Sequence, residues 1–155
     1  GEWCNYIGHV IVQRLRDSNF KYIKQLEDSQ IVYGFTEEMY TYPNIYVFPL
    51  QEPGETPTTS GNIMNARITY RILVEGFALD LAETDDKLRL IVGDIIAELL
   101  NDRNLKYNNK SVVRDLYILL LDADYFPAEE GESIRRWHKI EVTVEKKLDF
   151  STITE

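Results

Sequence analysis

The sequence predicts an α+β fold: a mostly antiparallel sheet packed against one long and one shorter helix. Three observations carry this. Leu88, Ile91, Val92, Ile95, Ile96, Leu99 and Leu100 fall at i, i+3, i+4, i+7, i+8, i+11 and i+12, the apolar stripe of a long helix. Ile68, Tyr70, Ile72 and Val74, and again His138, Ile140, Val142 and Val144, alternate with polar residues at a period of two, as in strands with one buried face. The order helix, strands, long loop, strand, helix, strand, strand leaves few places for parallel crossovers.

The first helix is expected over 5–17, with Ile7, Val10, Ile11 and Leu15 on one side and Asn5 as N-cap. Residues 1–3 are left outside the fold as a processing scar, and Ser18 and Asn19 end the helix. Two short strands are expected over 21–26 and 30–35, with a bend or bulge at Gly34. The run 44–50 is a clearer strand. Ile45 and Val47 point one way; Tyr46, Phe48 and Leu50 point the other. A strand apolar on both faces is either central or covered by a partner on its second face. Pro43 and Pro49 bracket it.

Residues 51–62 hold Pro53, Gly54, Pro57, Thr58, Thr59, Ser60 and Gly61. Such a stretch has little apolar surface to bury, so a mobile loop is expected: either a plain hairpin loop or an arm that orders on a partner. A long strand follows over 66–77, with Gly76 inviting a bulge. The long helix is placed at 80–102. Asp80 with Glu83 suits a capping box, and Thr84-Asp85-Asp86 puts negative charge at the helix N-terminus. Asn101 and Asn104 mark its end. A turn around Asn108-Asn109 at 106–110 leads to strands over 112–121 and 133–148, and a loose tail is expected from 149. Residues 1–155 read as a single domain without internal repeats.

The chain's 155 residues suffice for one core, and its 44% hydrophobic and 28% charged shares suit a soluble globular protein. A net charge of −9 disfavours general affinity for phosphate backbones and for anionic lipid. Cys4 is the single cysteine, which excludes an internal disulfide and a cysteine zinc site and fits a reducing compartment. No apolar run approaches the roughly 20 residues of a membrane span.

Catalytic signatures are missing. His9 and His138 lack zinc-binding spacing, Ser60 and Ser133 lack a nucleophile-elbow context, and no phosphate-cradling glycine motif occurs. Asp122 and Asp124 form a D-x-D at a strand end. That pair suits either a hard cation such as Mg²⁺, and with it a small metal-dependent enzyme, or a solvated turn. Asp85-Asp86 reads as a helix start and Glu129-Glu130 as a solvated loop. Arg135-Arg136 followed by Trp137 suits either docking onto an acidic partner or an exposed strand start with the indole over the core edge. Ten tyrosines include several at segment edges, among them Tyr46 and Tyr125, with Phe126 beside the latter; such rings fit interfaces and core rims alike.

In layout the chain resembles the tail terminator, or tail completion, proteins of long-tailed bacteriophages. The resemblance runs through an N-terminal helix, a strand at Tyr42-Pro43-Asn44-Ile45-Tyr46-Val47 and a polar loop. It continues through a strand at Asn65-Ala66-Arg67-Ile68-Thr69-Tyr70, the helix from Asp80 to Asp102, and closing strands ending in Glu141-Val142-Thr143-Val144. It implies a virion structural protein of the tail or neck, without enzymatic activity or cofactor, made in the host cytoplasm. It implies a homo-oligomeric ring, commonly a hexamer, that caps the tail tube protein and offers the surface joined by the head connector or stopper protein, while DNA passes through unbound. A neck or baseplate adaptor is the alternative within the same class. On this reading the contact residues are Tyr46 and Phe48 on the strand; Glu52, Pro53, Glu55 and Pro57 in the arm; Tyr125 and Phe126; and Arg135, Arg136 and Trp137. Unpaired strand edges are expected to serve lateral contacts.

Overall fold

The computed structural model describes residues 2–35, 41–50, 54–60, 63–78, 81–127 and 134–149. Helix α1 spans Glu2–Arg16 and α2 spans Leu81–Leu100. The strands are β1 (Ile31–Tyr33), β2 (Asn44–Pro49), β3 (Gly54–Ser60), β4 (Ile63–Ala78), β5 (Lys106–Tyr107), β6 (Lys110–Ser111), β7 (Asp115–Leu120), β8 (Asp124–Pro127) and β9 (Ile134–Asp149). The architecture is α+β, as expected.

Helix α1 starts earlier than the stripe of Ile7 to Leu15 alone predicts. Trp3 belongs to the fold, because Cys4 continues the stripe of Ile7, Ile11 and Leu15 one turn back, and Cys4 is buried while Trp3 packs against the core. No strand forms over 21–26. Two 3₁₀ turns, Ile23–Gln25 and Asp28–Gln30, take its place. The reason is a carboxylate: Asp94 on α2 accepts the backbone N–H of Tyr22 at 2.7 Å and of Ile23 at 3.0 Å, tying this segment to a helix instead of a sheet. Gly34 bends the chain after β1 at φ +100°.

Five strands lie side by side in the order β1-β2-β4-β9-β7, with β3 joining β4 beyond β2 and β8 joining β9 beyond β7. Only β1 and β2 run parallel; the other pairs of this sheet are antiparallel. The spine is the pairing of β4 with β9, unbroken from Ile63↔Asp149 to Ala78↔Ile134. Of the two positions open to β2, the central one is realised, and Ile45, Tyr46 and Val47 are all fully buried.

The expected loop at 51–62 is a strand over part of its length. Gly54–Ser60 pairs with the start of β4, with a register shift between Glu55 and Thr59. Composition hid this, because what holds β3 is the free edge that β4 offers by starting as early as Ile63, together with the strand preference of its threonines. Residues 51–53 and 61–62, the cap position Asp80 and the tail beyond 149 lie outside the described residues. The turn at 108–109 is as expected: Asn108 (φ 52°) and Asn109 (φ 64°) both adopt the left-handed conformation of a two-residue hairpin turn, here joining β5 to β6.

Both helices cover one face of the sheet. From α1 come Ile7, Ile11 and Leu15, from α2 Leu88, Ile95 and Leu99, and from the sheet Ile45, Val47, Ile68, Ile72, Ile140, Val142 and Val144, all buried in one cluster. Tyr70 lies among them, its hydroxyl donating to the carbonyl oxygen of Cys4, and burial pushes the phenol well above its ordinary range. Gly76 makes no bulge, since the ladder runs straight through Gly76↔Arg136. Its role is close approach: a Cβ there would sit 2.7 Å from Thr84 Cγ2 and 3.0 Å from a Leu88 methyl. Among the described residues, no helix is long and apolar enough to cross a membrane.

Candidate functional site

A two-layer arrangement leaves the second face of the sheet to other uses. Period two puts Arg67, Thr69, Arg71, Leu73 and Glu75 of β4 on that face, opposite Glu145, Thr143, Glu141, Lys139 and Trp137 of β9. The polar rungs close in pairs. Arg67 Nη2 lies 2.8 Å from Glu145 Oε1, the Thr69 and Thr143 hydroxyls are 3.0 Å apart, and Arg71 Nη2 lies 2.9 Å from Glu141 Oε1. Lys139 reaches across to Asp124 at 2.6 Å. The face therefore carries many charges but neutralises them rung by rung.

Toward the β4 C-terminus the same face becomes aromatic. Glu75 is only 3% exposed, and its carboxylate accepts the Tyr46 hydroxyl at 2.9 Å and the Trp137 indole N–H at 2.6 Å. Arg135 stands 3.7 Å away. Phe35 packs on Tyr46 with ring centroids 4.9 Å apart and meets Trp137 edge-on at 6.1 Å. Burial, reinforced by the hydrogen bond to Glu75, raises the Tyr46 phenol beyond its ordinary range. Nearby, Tyr42 stacks on Phe77 at 5.3 Å.

The helix-side face has a counterpart. Asp85 on α2 accepts from Arg136 Nε at 2.8 Å, lies 2.5 Å from His138 Nε2, and pairs through its other oxygen with Arg89 at 2.6 Å. Burial pushes this carboxyl up, but the hydrogen bonds and charges of Arg136 and His138 outweigh it and hold the group below the usual carboxylate range.

The fold has a counterpart in a virion. A chain of the solved structure described as the virion of a native gene transfer agent particle matches with a TM-score of 0.54 and 13% sequence identity, over 90% of this chain and 94% of that one. At that identity the likeness is one of fold. No protein-family model and no curated protein matches the sequence.

The residues expected to meet partners divide into three groups. Tyr46 is corrected outright: it is fully buried and bonded to Glu75, so its ring is core, while Phe48 stays partly exposed on the open face. Arg136 and Trp137 are likewise engaged within the chain, by Asp85 and Glu75, because consecutive strand residues face opposite sides and each meets a buried carboxylate there. Arg135 keeps about a third of its side chain exposed. In the second group the backbone alone is placed: Glu55 opposite Ala66, Pro57 within the irregular stretch of β3, Tyr125 opposite Arg136 and Phe126 opposite Arg135. Glu52 and Pro53 lie outside the described residues. Third, Asp124 is held by Lys139 while Asp122 stays exposed, and among the described residues no group of three or more His, Cys, Asp or Glu is placed to hold a metal ion.

Sequence reasoning missed the free edge at β7. There Leu119 is 56% and Leu120 59% exposed, with Tyr117 close behind at 44%. The signal was present in Leu116-Tyr117-Ile118-Leu119-Leu120-Leu121, an apolar run without alternation. It marks a central strand or an edge strand with a sticky face, and only the sheet order decides which.

Proposed function

We propose that this chain is a structural component of a phage-like virion, of the tail terminator or neck type. It acts by contact: copies assemble into a ring, hexameric on this reading, that seats on the end of a tail tube and presents the surface joined by the head connector. DNA passes through the opening without specific binding, in keeping with the net charge of −9. The observation that carries the reading is the likeness in fold to a virion chain over nearly the full length of both. The sheet face opposite the helices, the β3–β4 arm and the strand edges left unpaired among the described residues support it, since such surfaces suit partners.

The test is negative-stain imaging of the pure protein, alone and mixed with tail tubes. Rings, or density capping tube ends, are expected. A protein that forms no ring at any concentration and leaves tube ends bare would remove the reading.

A further inference from the structure

β7 begins at Asp115, opposite Glu145, whereas β9 runs on to Asp149. Beyond the start of β7, residues 111–114 wall the end of β9 instead, and a cleft of about 590 Å³ opens there. Asn65, Ser111, Arg114, Lys146 and Lys147 line it, with no carboxylate among the described lining residues. The wall is firmly held. Arg114 N–H donates to Glu145 C=O at 2.7 Å, Val112 and Val113 N–H both donate to Asn104 C=O, and Asn104 Nδ2 donates to Arg114 C=O at 2.8 Å. Lys146 Nζ donates to Val112 C=O at 2.9 Å. Neighbouring carboxylates are already engaged, Glu145 by Arg67 and Asp115 by Arg103. Arg114 and Lys147 are exposed, and neither has an ion pair among the described residues. In a chain of net charge −9, this is a preformed pocket of positive charge.

The same chain carries the complement. Ala128-Glu129-Glu130-Gly131-Glu132-Ser133 holds three carboxylates and no cation. The segment lies outside the described residues, but both its ends are fixed, because Pro127 and Ile134 face each other across the β8–β9 ladder. Six residues held at both ends reach at most about 10 Å from that rung. From Ile134 to Lys146, strand rise carries β9 about 40 Å away from it. The segment of one copy therefore cannot enter its own cleft, and only a neighbouring copy brings the two together. DNA is a poorer occupant. Its backbone extends like charge well beyond a pocket of this size, along a surface that is acidic overall, whereas a six-residue loop brings three carboxylates and little else.

We infer that the acidic segment 128–133 of one copy docks in the Arg114–Lys146–Lys147 cleft of its neighbour. The two surfaces differ, so the contact is head to tail and passes from copy to copy. The inference rests on the ring reading for closure, since head-to-tail contacts make a ring where the rotation closes and an open row where it does not. It names the ion pairs on which such a ring depends.

The experiment is sedimentation velocity of the full chain over a concentration series, at low and at moderate salt. Two variants each reverse one side: Arg114→Glu with Lys147→Glu, and Glu129→Lys with Glu130→Lys and Glu132→Lys. The native chain should form species larger than a dimer, and salt should weaken them, since the pairs are exposed. Each variant alone should associate at least about tenfold more weakly, because attraction becomes repulsion. An equimolar mixture of the two should recover association, since each then offers the other a complementary surface. Thermal unfolding of the cleft variant should match that of the native chain, because both substituted side chains are exposed and the backbone bonds of the wall remain. A native chain that is monomeric or stops at a dimer, a variant that associates like the native chain, or a mixture that fails to recover would each overturn the inference. Tube capping reads separately. Rings that survive both reversals would remove this contact and leave the terminator reading standing, while assembly that obeys the charges but leaves tube ends bare would do the opposite.

Discussion

Asp85, in the second turn of α2, lies 2.8 Å from the Arg136 guanidinium on β9, and this ion pair pins the start of the long helix to the start of the long strand. Its folded carboxyl titrates below its ordinary value, so the contribution to stability is complete above the unfolded pKa of about 4 and is lost as pH falls through the folded value. Asp85→Asn leaves Arg136 short of a charge partner in a site with little water. It should cost about 2 kcal/mol at neutral pH, and native and variant stabilities should converge as pH falls through the folded value of Asp85. Urea unfolding of both proteins across that range checks it. A difference independent of pH would assign the effect to packing.

Two glycines should respond in opposite directions. At Gly76, Ala would place its methyl 2.7 Å from Thr84 Cγ2, and α2 would have to lift off the sheet. A loss of about 1–3 kcal/mol is expected. Gly93 is exposed inside α2, and a methyl added there would meet nothing within 4 Å, so Gly93→Ala should gain about 0.5–1 kcal/mol from helix propensity alone. Thermal unfolding of the two variants beside the native chain reads both signs.

The parts of this fold that were legible from the sequence are those set by local periodicity. The stripe from Leu88 to Leu100 and the alternation from Ile68 to Val74 are properties of one element against one core, and both appear where expected. The errors arise where a distant residue decides. Lys21 to Leu26 reads as a strand until Asp94, remote in sequence, claims its backbone N–H groups. Gly54–Ser60 reads as a loop until β4 extends far enough to pair with it. Tyr46 reads as an interface ring because nothing local reveals that Glu75 and Phe35 converge on it. For the same reason the exposed surface was the least legible: exposure at β7 follows from the sheet order, which no single segment encodes.

The β5–β6 turn should tolerate glycine and reject branched residues. Asn109 holds φ at 64°, a region that glycine enters freely and β-branched side chains avoid. Asn109→Gly should leave stability within about 0.5 kcal/mol of native, whereas Asn109→Val should lose about 1–2 kcal/mol. Chemical denaturation resolves the two. Equal losses for both would show that the Asn109 side chain, and not its backbone conformation, sustains the hairpin.

Glu75 offers the sharpest test of the open face, because its buried carboxylate takes a hydrogen bond from the side chain of each neighbouring strand, Tyr46 on β2 and Trp137 on β9. Tyr46→Phe and Trp137→Phe each delete one donor and leave the ring volume largely in place. Each should cost about 1–3 kcal/mol, since a buried charge loses part of its solvation. The two should not add. After the first donor is lost the carboxylate is already poorly held, so removing the second acts on a weakened network, and a coupling of about 0.5–2 kcal/mol is expected in a double-mutant cycle. Adding Glu75→Gln to the double variant should then recover stability, because a neutral amide costs less to bury than a carboxylate left with only Arg135, 3.7 Å away. Strict additivity, with no recovery from Glu75→Gln, would mean that the cluster is held by its aromatic packing and not by the hydrogen bonds to Glu75.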